Sequence, residues 1–338
     1  MTAVTDPPAP PPGASAAPAP EPAGRRRPRL RRWGRRLLIA AVVLLAAVTV
    51  FSFAYNAATA GRVKPPAGAL FTEADGVRTR YRAWGTSGTP VVLVHGAFES
   101  ADTWASAAPL LAARHRVYAL DLTGWGYSER RGPFDAARQA AQLLGFLDAM
   151  RLDRATLVGH SSGAGVIAAV ALREPGRVSG LVFLDGDALD TGAGSGSDKL
   201  RFVLRDPYRT TLTRLVVRSD WAIRTLYRAQ CGPSCPRLDE AGVEQWRRPF
   251  QMPGAEDALW NMQAVVGLPA GRVAELSRVR VPKAVVFGAD DDVFSRRSPF
   301  ETARRIGAPS PVIIPGAHHL SLVSHPRQVA DAILATAP

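Results

Sequence analysis

Residues 157–165 read LVGHSSGAG, which places Ser161 between two glycines in a G-x-S-x-G pattern. The run that ends there, ATLVGH, is typical of a buried strand, and GAGVIAAVALRE after it has helical periodicity. A sharp strand-to-helix turn forces strained backbone angles, so only small residues fit two positions on either side of its central residue. Gly159 and Gly163 meet that requirement. A lone copy of the pattern would indicate only a small-residue turn. In this context it predicts a nucleophile at Ser161 and an oxyanion donor in the Ser162 N–H.

Short apolar runs alternate with helical segments from residue 66 onward. PVVLVHG (90–96) is almost wholly apolar, which is typical of a strand buried on both faces, and RVYALDL, GLVFLDG, KAVVFGAD and SPVIIPG are similar. This alternation predicts an α/β fold with a mostly parallel central sheet and helices on both faces. The stretch at about 189–278 breaks the alternation with a mainly helical pattern. We interpret it as a helical cap inserted into a domain that spans 66–338.

Five separate stretches match one known family in the family's own order. They are VVLVHGAFES, DLTGWGYSER, LVGHSSGAG, VVFGADDDVF and PGAHHLSLVSHP, spread over about 91–335. Together they resemble the α/β-hydrolase superfamily, in its cap-bearing branch of esterases, lipases and epoxide-hydrolase-like proteins. The resemblance implies the α/β-hydrolase fold. It also assigns the stretches, in order, to an oxyanion loop, a structural loop, the nucleophile turn, the acid loop and the histidine loop.

A serine nucleophile needs an adjacent base, because an alcohol attacks poorly at neutral pH. The family places a proline seven residues beyond its catalytic histidine, and Pro326 lies seven residues beyond His319. By resemblance His319 is therefore the base. His318 stands where the family usually has glycine and is the alternative.

The base in turn needs a carboxylate that orients it and stabilises its charged form. The family places this acid three residues after the glycine that ends the preceding strand, a position that Asp291 occupies. Asp290 and Asp292 would then only cap a turn. Some relatives carry the acid after an earlier strand, which keeps Asp185 and Asp187 as alternatives.

Further positions are expected to bind the oxyanion and the substrate. By resemblance the Ala97 N–H is the second oxyanion donor, and Phe98 is a pocket wall. The cap contains several aromatic residues, among them Trp221 and Trp246, that would suit an apolar acyl or aryl pocket. Packing of the cap helices on the sheet explains those aromatic residues at least as well.

The nucleophile type narrows the reaction. Epoxide hydrolases and dehalogenases of this fold attack carbon with an aspartate, whereas position 161 is serine. Serine favours acyl transfer, and above all cleavage of a small ester or acyl substrate through an acyl-enzyme, with no metal or organic cofactor. A cofactor-free haloperoxidase or perhydrolase, or a C–C hydrolase, would use the same triad. The alternative from another class is a non-catalytic ligand-binding module, which a complete triad at family spacing disfavours.

The formal charge of +13 is unevenly spread, since residues 1–36 alone carry a net +6 directly before one apolar segment. Residues 1–36 are Pro/Ala-rich and then Arg-rich, with eight arginines against two acidic residues, and we expect a disordered cytoplasmic tail. Residues 37–61 carry no charged side chain and are long enough to span a bilayer. They predict a transmembrane signal anchor. Because the arginines precede it, the positive-inside rule predicts a single-pass cell-membrane protein whose catalytic domain is extracytoplasmic. A signal peptide cleaved near residue 60 is the alternative.

The remaining signals concern cysteines and partners. Cys231 and Cys235 in CGPSC predict a turn-closing disulfide in an oxidising compartment, with two free buried thiols as the alternative. Two cysteines without matching histidines are a poor zinc site. The basic run Arg25–Arg36 directly precedes the apolar segment and has no accompanying recognition motif, so we expect no nucleic-acid binding. The sequence indicates no particular protein partner.

Overall fold

The computed structural model describes residues 6, 27–60, 63–189, 204–261 and 267–338. The chain forms two units, Met1–Phe51 and Ser52–Pro338. Helix α1 (Arg27–Ala58) accounts for the described part of the first unit apart from Asp6, and its last two turns belong to the second unit.

Helix α1 begins earlier than the sequence pattern predicted. We expected a tail over 1–36 and a helix from 37, whereas residues 27–36 are already helical. Arginine is a good helix former and proline is tolerated in the first turn, so the basic run continues the apolar helix. The segment Arg31–Ala58 is, within the described ranges, the one helix long and apolar enough to cross a membrane, with a mean hydropathy of 2.8 over an 18-residue window. A membrane anchor and a signal sequence share this pattern. The predicted tail residues 1–5 and 7–26 and the end of the predicted anchor at 61 lie outside the described residues.

The second unit contains an eight-stranded sheet in the order β1-β2-β4-β3-β5-β6-β7-β8. Strands β3 to β8 are parallel to one another, and β2 pairs antiparallel with both β1 and β4. This confirms the expected α/β-hydrolase fold with its mostly parallel sheet. The strands are β1 Leu70–Ala74, β2 Val77–Trp84, β3 Pro90–Val94, β4 Arg116–Leu120, β5 Ala155–His160, β6 Val178–Leu184, β7 Lys283–Gly288 and β8 Val312–Ile314.

Helices connect the strands and also fill the region between β6 and β7. Those outside that region are α2 Ala108–Leu111, α3 Ala136–Ala149, α4 Gly163–Arg173, α10 Ser298–Ile306, α11 Ser321–Ser324 and α12 Pro326–Leu334. Those between β6 and β7 are α5 Tyr208–Arg218, α6 Asp220–Cys231, α7 Glu240–Arg247, α8 Ala255–Asn261 and α9 Ala270–Ala274. The cap boundaries at 189–278 stay a prediction, since 190–203 and 262–266 are outside the described ranges. Cys231, which ends α6, is disulfide-bonded to Cys235.

The sheet core is built from apolar side chains that alternate between two faces. Val92 and Val94 of β3 pack in one cluster with α3 and α4, whereas Val91 and Leu93 pack in another with α2 and α12. Successive residues of a strand point to opposite faces. A strand covered on both faces therefore needs apolar residues at every position, which explains the continuous apolar run of β3.

The strand order changes direction between β3 and β5. The chain passes from β3 to β4 on one side and then returns to β5 on the other. In parallel α/β sheets, the crevice outside the carboxyl ends of the strands at such a point is the usual ligand site. The residues that follow β3 and β5 include Gly96 and Ser161, and they meet at this crevice.

Candidate active site

Ser161 lies at the turn between β5 and α4 with a φ of 50°. This left-handed backbone is strained for a residue with a side chain. The two flanking glycines allow it. A Cβ at Gly159 would overlap the Gly163 carbonyl, and a Cβ at Gly163 would lie 2.6 Å from the Val94 carbonyl oxygen. The G-x-S-x-G spacing is thus explained by close backbone approach at the turn.

The structure brings Ser161, His319 and Asp291 into one hydrogen-bonded chain. His319 Nε2 lies 3.0 Å from Ser161 Oγ, and His319 Nδ1 lies 2.9 Å from Asp291 Oδ2. The histidine and the carboxylate are buried, and Asp291 Oδ1 also accepts the Val293 N–H at 2.9 Å. This is the arrangement in which a histidine can take the serine proton while a carboxylate orients the ring.

The other residues considered for the base and the acid make different contacts. Asp290 and Asp292 are exposed on the same loop. His318 lies against Gly232, and its buried Nδ1 has no hydrogen-bond partner within the described part of the chain. Asp187 accepts the backbone N–H of Leu189 at 3.0 Å.

Two backbone donors lie beside the serine. A Cβ at Gly96 would come within 2.8 Å of the Ser161 Cβ, so the loop after β3 reaches the turn closely. Ala97 follows in that loop, and Ser162 is the residue before the first turn of α4. Within the described ranges no acceptor receives the N–H of Ala97 or of Ser162. Both N–H groups are therefore free to bind an oxyanion, and the α4 N-terminus favours negative charge there.

Comparison with known proteins identifies the family. The sequence profile of the alpha/beta hydrolase family matches residues 91–332.

The chain belongs to the alpha/beta hydrolase family.

Its relatives in this family include an esterase and a dienoate hydrolase. This hydrolase is 30% identical to the pimeloyl-[acyl-carrier protein] methyl ester esterase of Edwardsiella ictaluri (strain 93-146), over 74% of this chain and 95% of that protein. It is 27% identical to the 2-hydroxy-6-oxo-6-(2'-aminophenyl)hexa-2,4-dienoic acid hydrolase of Metapseudomonas resinovorans, over 78% of this chain and 89% of that protein. The fold matches a crystal structure of a serine hydrolase involved in carbazole degradation, the CarC enzyme. That match has a TM-score of 0.65 and 24% identity, and it covers 79% of this chain and 97% of that one. The alpha/beta hydrolase described here is accordingly an enzyme with serine hydrolase activity.

Behind the triad, the hydrolase contains a buried cluster of ionisable groups that the sequence patterns did not indicate. His160 Nδ1 lies 2.8 Å from Glu99 Oε1, and His160 Nε2 donates to the His319 backbone carbonyl at 2.9 Å. Asp185 Oδ2 lies 3.9 Å from the same ring nitrogen and accepts the Ser321 hydroxyl. The cluster therefore holds the backbone of the catalytic loop through the His319 carbonyl and the Ser321 hydroxyl. Within the described residues no group of three or more His, Cys, Asp or Glu side chains is arranged to hold a metal.

The contacts within this cluster shift the pKa of each member. Burial would lower the pKa of His160, but Glu99 and then Asp185 outweigh it and raise that pKa to about 9. Burial would raise the pKa of Glu99, yet contact with His160 holds that pKa below its ordinary value. Burial raises the pKa of Asp185 to about 6, although His160 opposes the shift. At neutral pH the cluster is thus a buried imidazolium between two carboxylates.

Aromatic rings lie next to the oxyanion loop. Phe98 follows Ala97 directly, and its ring centroid is 5.2 Å from that of Trp125 and 6.4 Å from that of Phe250. On the histidine side, the Phe294 ring lies 5.8 Å from that of His319. Phe98 is exposed, so it presents an apolar edge next to the site.

The two cap tryptophans singled out from the sequence have different surroundings. Trp246 packs against Tyr227, with ring centroids 5.6 Å apart. Trp221 lies on the first turn of α6 and is 76% exposed. This exposure contradicts the expectation that Trp221 forms part of a pocket wall. The sequence indicates that a residue lies on a helix, but it does not indicate which side of that helix faces the protein.

Proposed function

We propose that this hydrolase is a carboxylic ester hydrolase that acts through an acyl-enzyme at Ser161. The observation that carries the proposal is the uninterrupted chain of hydrogen bonds from Asp291 through His319 to Ser161, beside two backbone N–H groups without acceptors. The esterase relative from Edwardsiella ictaluri supports the same class of substrate.

The proposed reaction has two halves. Ser161 Oγ attacks the ester carbonyl carbon while its proton passes to His319 Nε2, and the Ala97 and Ser162 N–H groups bind the oxyanion. The tetrahedral intermediate then expels the alcohol, which takes that proton from His319. Water attacks the acyl-enzyme by the same route and releases the acid. Asp291 accepts the His319 Nδ1–H throughout and stabilises the imidazolium.

For the acyl side of the substrate, we assign a pocket wall to Phe98 together with Trp125 and Phe250. Their rings form a continuous apolar group that begins one residue after the proposed oxyanion donor Ala97. Trp246 stays a candidate for the cap side, whereas the exposure of Trp221 favours another role. The proposed chemistry uses protein groups alone, without a metal or organic cofactor.

A second candidate reaction is cleavage of a C–C bond next to a ketone. The specific observation in its favour is the dienoate hydrolase relative from Metapseudomonas resinovorans. A substrate panel separates the two. We expect turnover of short p-nitrophenyl esters and none of a 2-hydroxy-6-oxo-dienoate. Faster turnover of the dienoate would instead make C–C hydrolysis the main activity.

We also propose that α1 is an uncleaved signal anchor and that the catalytic unit lies outside the cytoplasmic membrane. An apolar segment with eight arginines before it supports this orientation. The bonded pair Cys231 and Cys235 fits an oxidising compartment. We expect the protein to resist carbonate extraction and external protease to reach the catalytic unit in spheroplasts. A soluble protein whose N-terminus lies near Gly61 would contradict the anchor.

The test of the proposed catalytic centre is fluorophosphonate labelling of the full chain in membranes. We expect the wild type to label, and Ser161→Ala and His319→Ala to lose labelling, because the serine is then absent or not activated. The matched control for the base is His318→Ala, which changes the adjacent histidine and should retain labelling. Loss in His318→Ala with retention in His319→Ala would contradict the assigned base. A folded wild type that never labels would favour the non-catalytic ligand-binding module.

A further inference from the structure

Helix α5 exposes three apolar side chains, whereas two threonines and Val217 on the same helix are buried. Leu212, Leu215 and Val216 are 46%, 45% and 40% exposed, whereas Thr211 and Thr213 are buried. An ordinary surface helix has the reverse pattern, since its apolar stripe faces the core. Exposed apolar residues grouped on one helix mark a surface that meets something other than water.

A second side of α5 is occupied by the end of α1. Arg214 Nη1 donates to the Asn56 carbonyl at 2.5 Å and to Thr59 Oγ1 at 3.2 Å. Arg218 Nη2 donates to the Thr59 carbonyl at 3.2 Å, and the Thr211 hydroxyl donates to Asn56 Oδ1 at 3.0 Å. These arginines bind carbonyls that the end of a helix leaves without intrahelical partners. The end of the long apolar helix is thus held on α5.

The side of α5 that contacts α1 and its exposed apolar side are neighbours on the helix surface. Each residue turns a helix by about 100°, so one stripe contains Thr211, Arg214 and Arg218. The exposed residues at 212, 215 and 216 lie roughly 120° further round the helix axis. The exposed apolar stripe therefore flanks the side of α5 on which α1 ends.

Helix α6, which follows α5 in the chain, also exposes an aromatic side chain, an apolar side chain and positive charge. Trp221 and Leu226 are 76% and 57% exposed. Residues 205–228 contain six arginines against two aspartates. Arg224 and Arg228 have no carboxylate partner among the described residues. Exposed tryptophan and leucine beside arginines are characteristic of helices that lie in a membrane interface. We call these exposed apolar side chains of α5 and α6 the cap surface: Leu212, Leu215, Val216, Trp221 and Leu226.

We propose that the cap surface docks on the anionic surface of the bilayer in which α1 is anchored, so that the enzyme takes acyl substrates from that bilayer. The proposal rests on the anchoring proposed above and goes beyond it, because an anchor alone leaves the catalytic unit free to turn away from the lipid. The apolar side chains enter the acyl boundary and the arginines meet lipid phosphates.

The end of α1 and the proposed acyl pocket wall both border one small cavity. A cavity lined by Thr59, Arg214 and Phe250, among others, separates the end of α1 from the aromatic group. Phe250 in turn contacts Phe98 beside the oxyanion loop. The cavity includes no triad residue.

The test is lipid quenching of a fluorophore on the full chain in nanodiscs. Because the native cysteines are bonded, an added Leu215→Cys is the only free thiol and takes a bimane label. The matched control is Phe300→Cys on α10, another exposed apolar position outside the cap surface. With doxyl-labelled lipid in discs of phosphatidylcholine and phosphatidylglycerol, we expect several-fold stronger quenching at 215 than at 300. We also expect the difference to shrink in phosphatidylcholine alone. Equal quenching at the two positions would overturn the proposal.

A kinetic measurement tests the membrane docking independently of the proposed esterase function. The variant Leu215→Ser with Val216→Ser should raise KM several-fold for an ester dispersed in anionic vesicles and leave kcat/KM for p-nitrophenyl acetate in solution unchanged. An unchanged KM on vesicles would count against docking. Absence of activity on both substrates in the wild type would refute the esterase but leave the quenching result standing. Carbonate extraction reports on the anchor by itself.

Discussion

The buried charge on His160 predicts that the hydrolase loses stability between pH 7 and pH 9. Its pKa is about 9 in the folded protein and 6.5 in an unfolded chain. A group whose folded pKa is raised contributes stability that is fully present below the unfolded pKa and is lost as the pH rises through the folded pKa. With these two values the contribution is roughly 3 kcal/mol at pH 7 and less than about 1 kcal/mol at pH 9. We therefore expect a loss of about 2 kcal/mol across this interval.

The neighbouring carboxylates do not obscure this effect. The pKa of Glu99 is lowered and that of Asp185 is about 6, so both are largely ionised from pH 7 upward. The titration of His160 in this interval is thus the event that changes the charge of the cluster.

The assay is denaturant unfolding of the full chain in detergent, at pH 7 and at pH 9, followed by tryptophan fluorescence. We expect His160→Gln to show a pH-dependent loss smaller than that of the wild type by about 2 kcal/mol. His325→Gln, which lies outside the cluster, should keep the wild-type loss. Glu99→Gln should be less stable than the wild type at pH 7 by roughly 3 kcal/mol, because it leaves a buried imidazolium without its closest anion. Equal losses in the wild type and His160→Gln would refute the reasoning.

Two further predictions concern the acid and the disulfide. Asp291→Asn should lower kcat on p-nitrophenyl esters by about 10⁴-fold, because the amide no longer orients and stabilises the imidazolium. The control Asp292→Asn, on the same loop, should keep a kcat close to that of the wild type. A larger loss in Asp292→Asn than in Asp291→Asn would assign the catalytic acid to Asp292. Reduction should raise the intact mass by two hydrogen atoms and only then allow iodoacetamide to modify Cys231 and Cys235. Modification of both thiols before reduction would show that the pair is free in solution.

Much of the fold and of the candidate site was predictable because its constraints are local. The turn at Ser161 needs glycines at fixed positions, since a Cβ at either would overlap nearby backbone. The continuous apolar run of β3 follows from burial on both faces. Family spacing points to His319 and Asp291 as the base and the acid, and the structure brings both to Ser161.

The start of α1 was less predictable. The boundary expected at 37 came from the end of the charged residues, whereas the helix begins at Arg27. The last charged residue limits how much of the segment can enter lipid. Helical conformation depends instead on intrinsic helix propensity, which is about the same for arginine and leucine. The hydrophobic boundary and the helical boundary are therefore different properties of the chain.

Local spacing in the sequence was enough to indicate the nucleophile turn, the parallel sheet and the three residues of the proposed triad, because steric limits and periodicity act over a few residues. Tertiary structure was needed for the cluster of Glu99, His160 and Asp185, whose members lie at or after the ends of three different strands and meet because parallel strands end at one edge of the sheet. It was also needed to show that Leu212 and Leu215 face outward. Helical periodicity reveals that apolar residues share a face, but only packing against the rest of the molecule determines whether that face is covered.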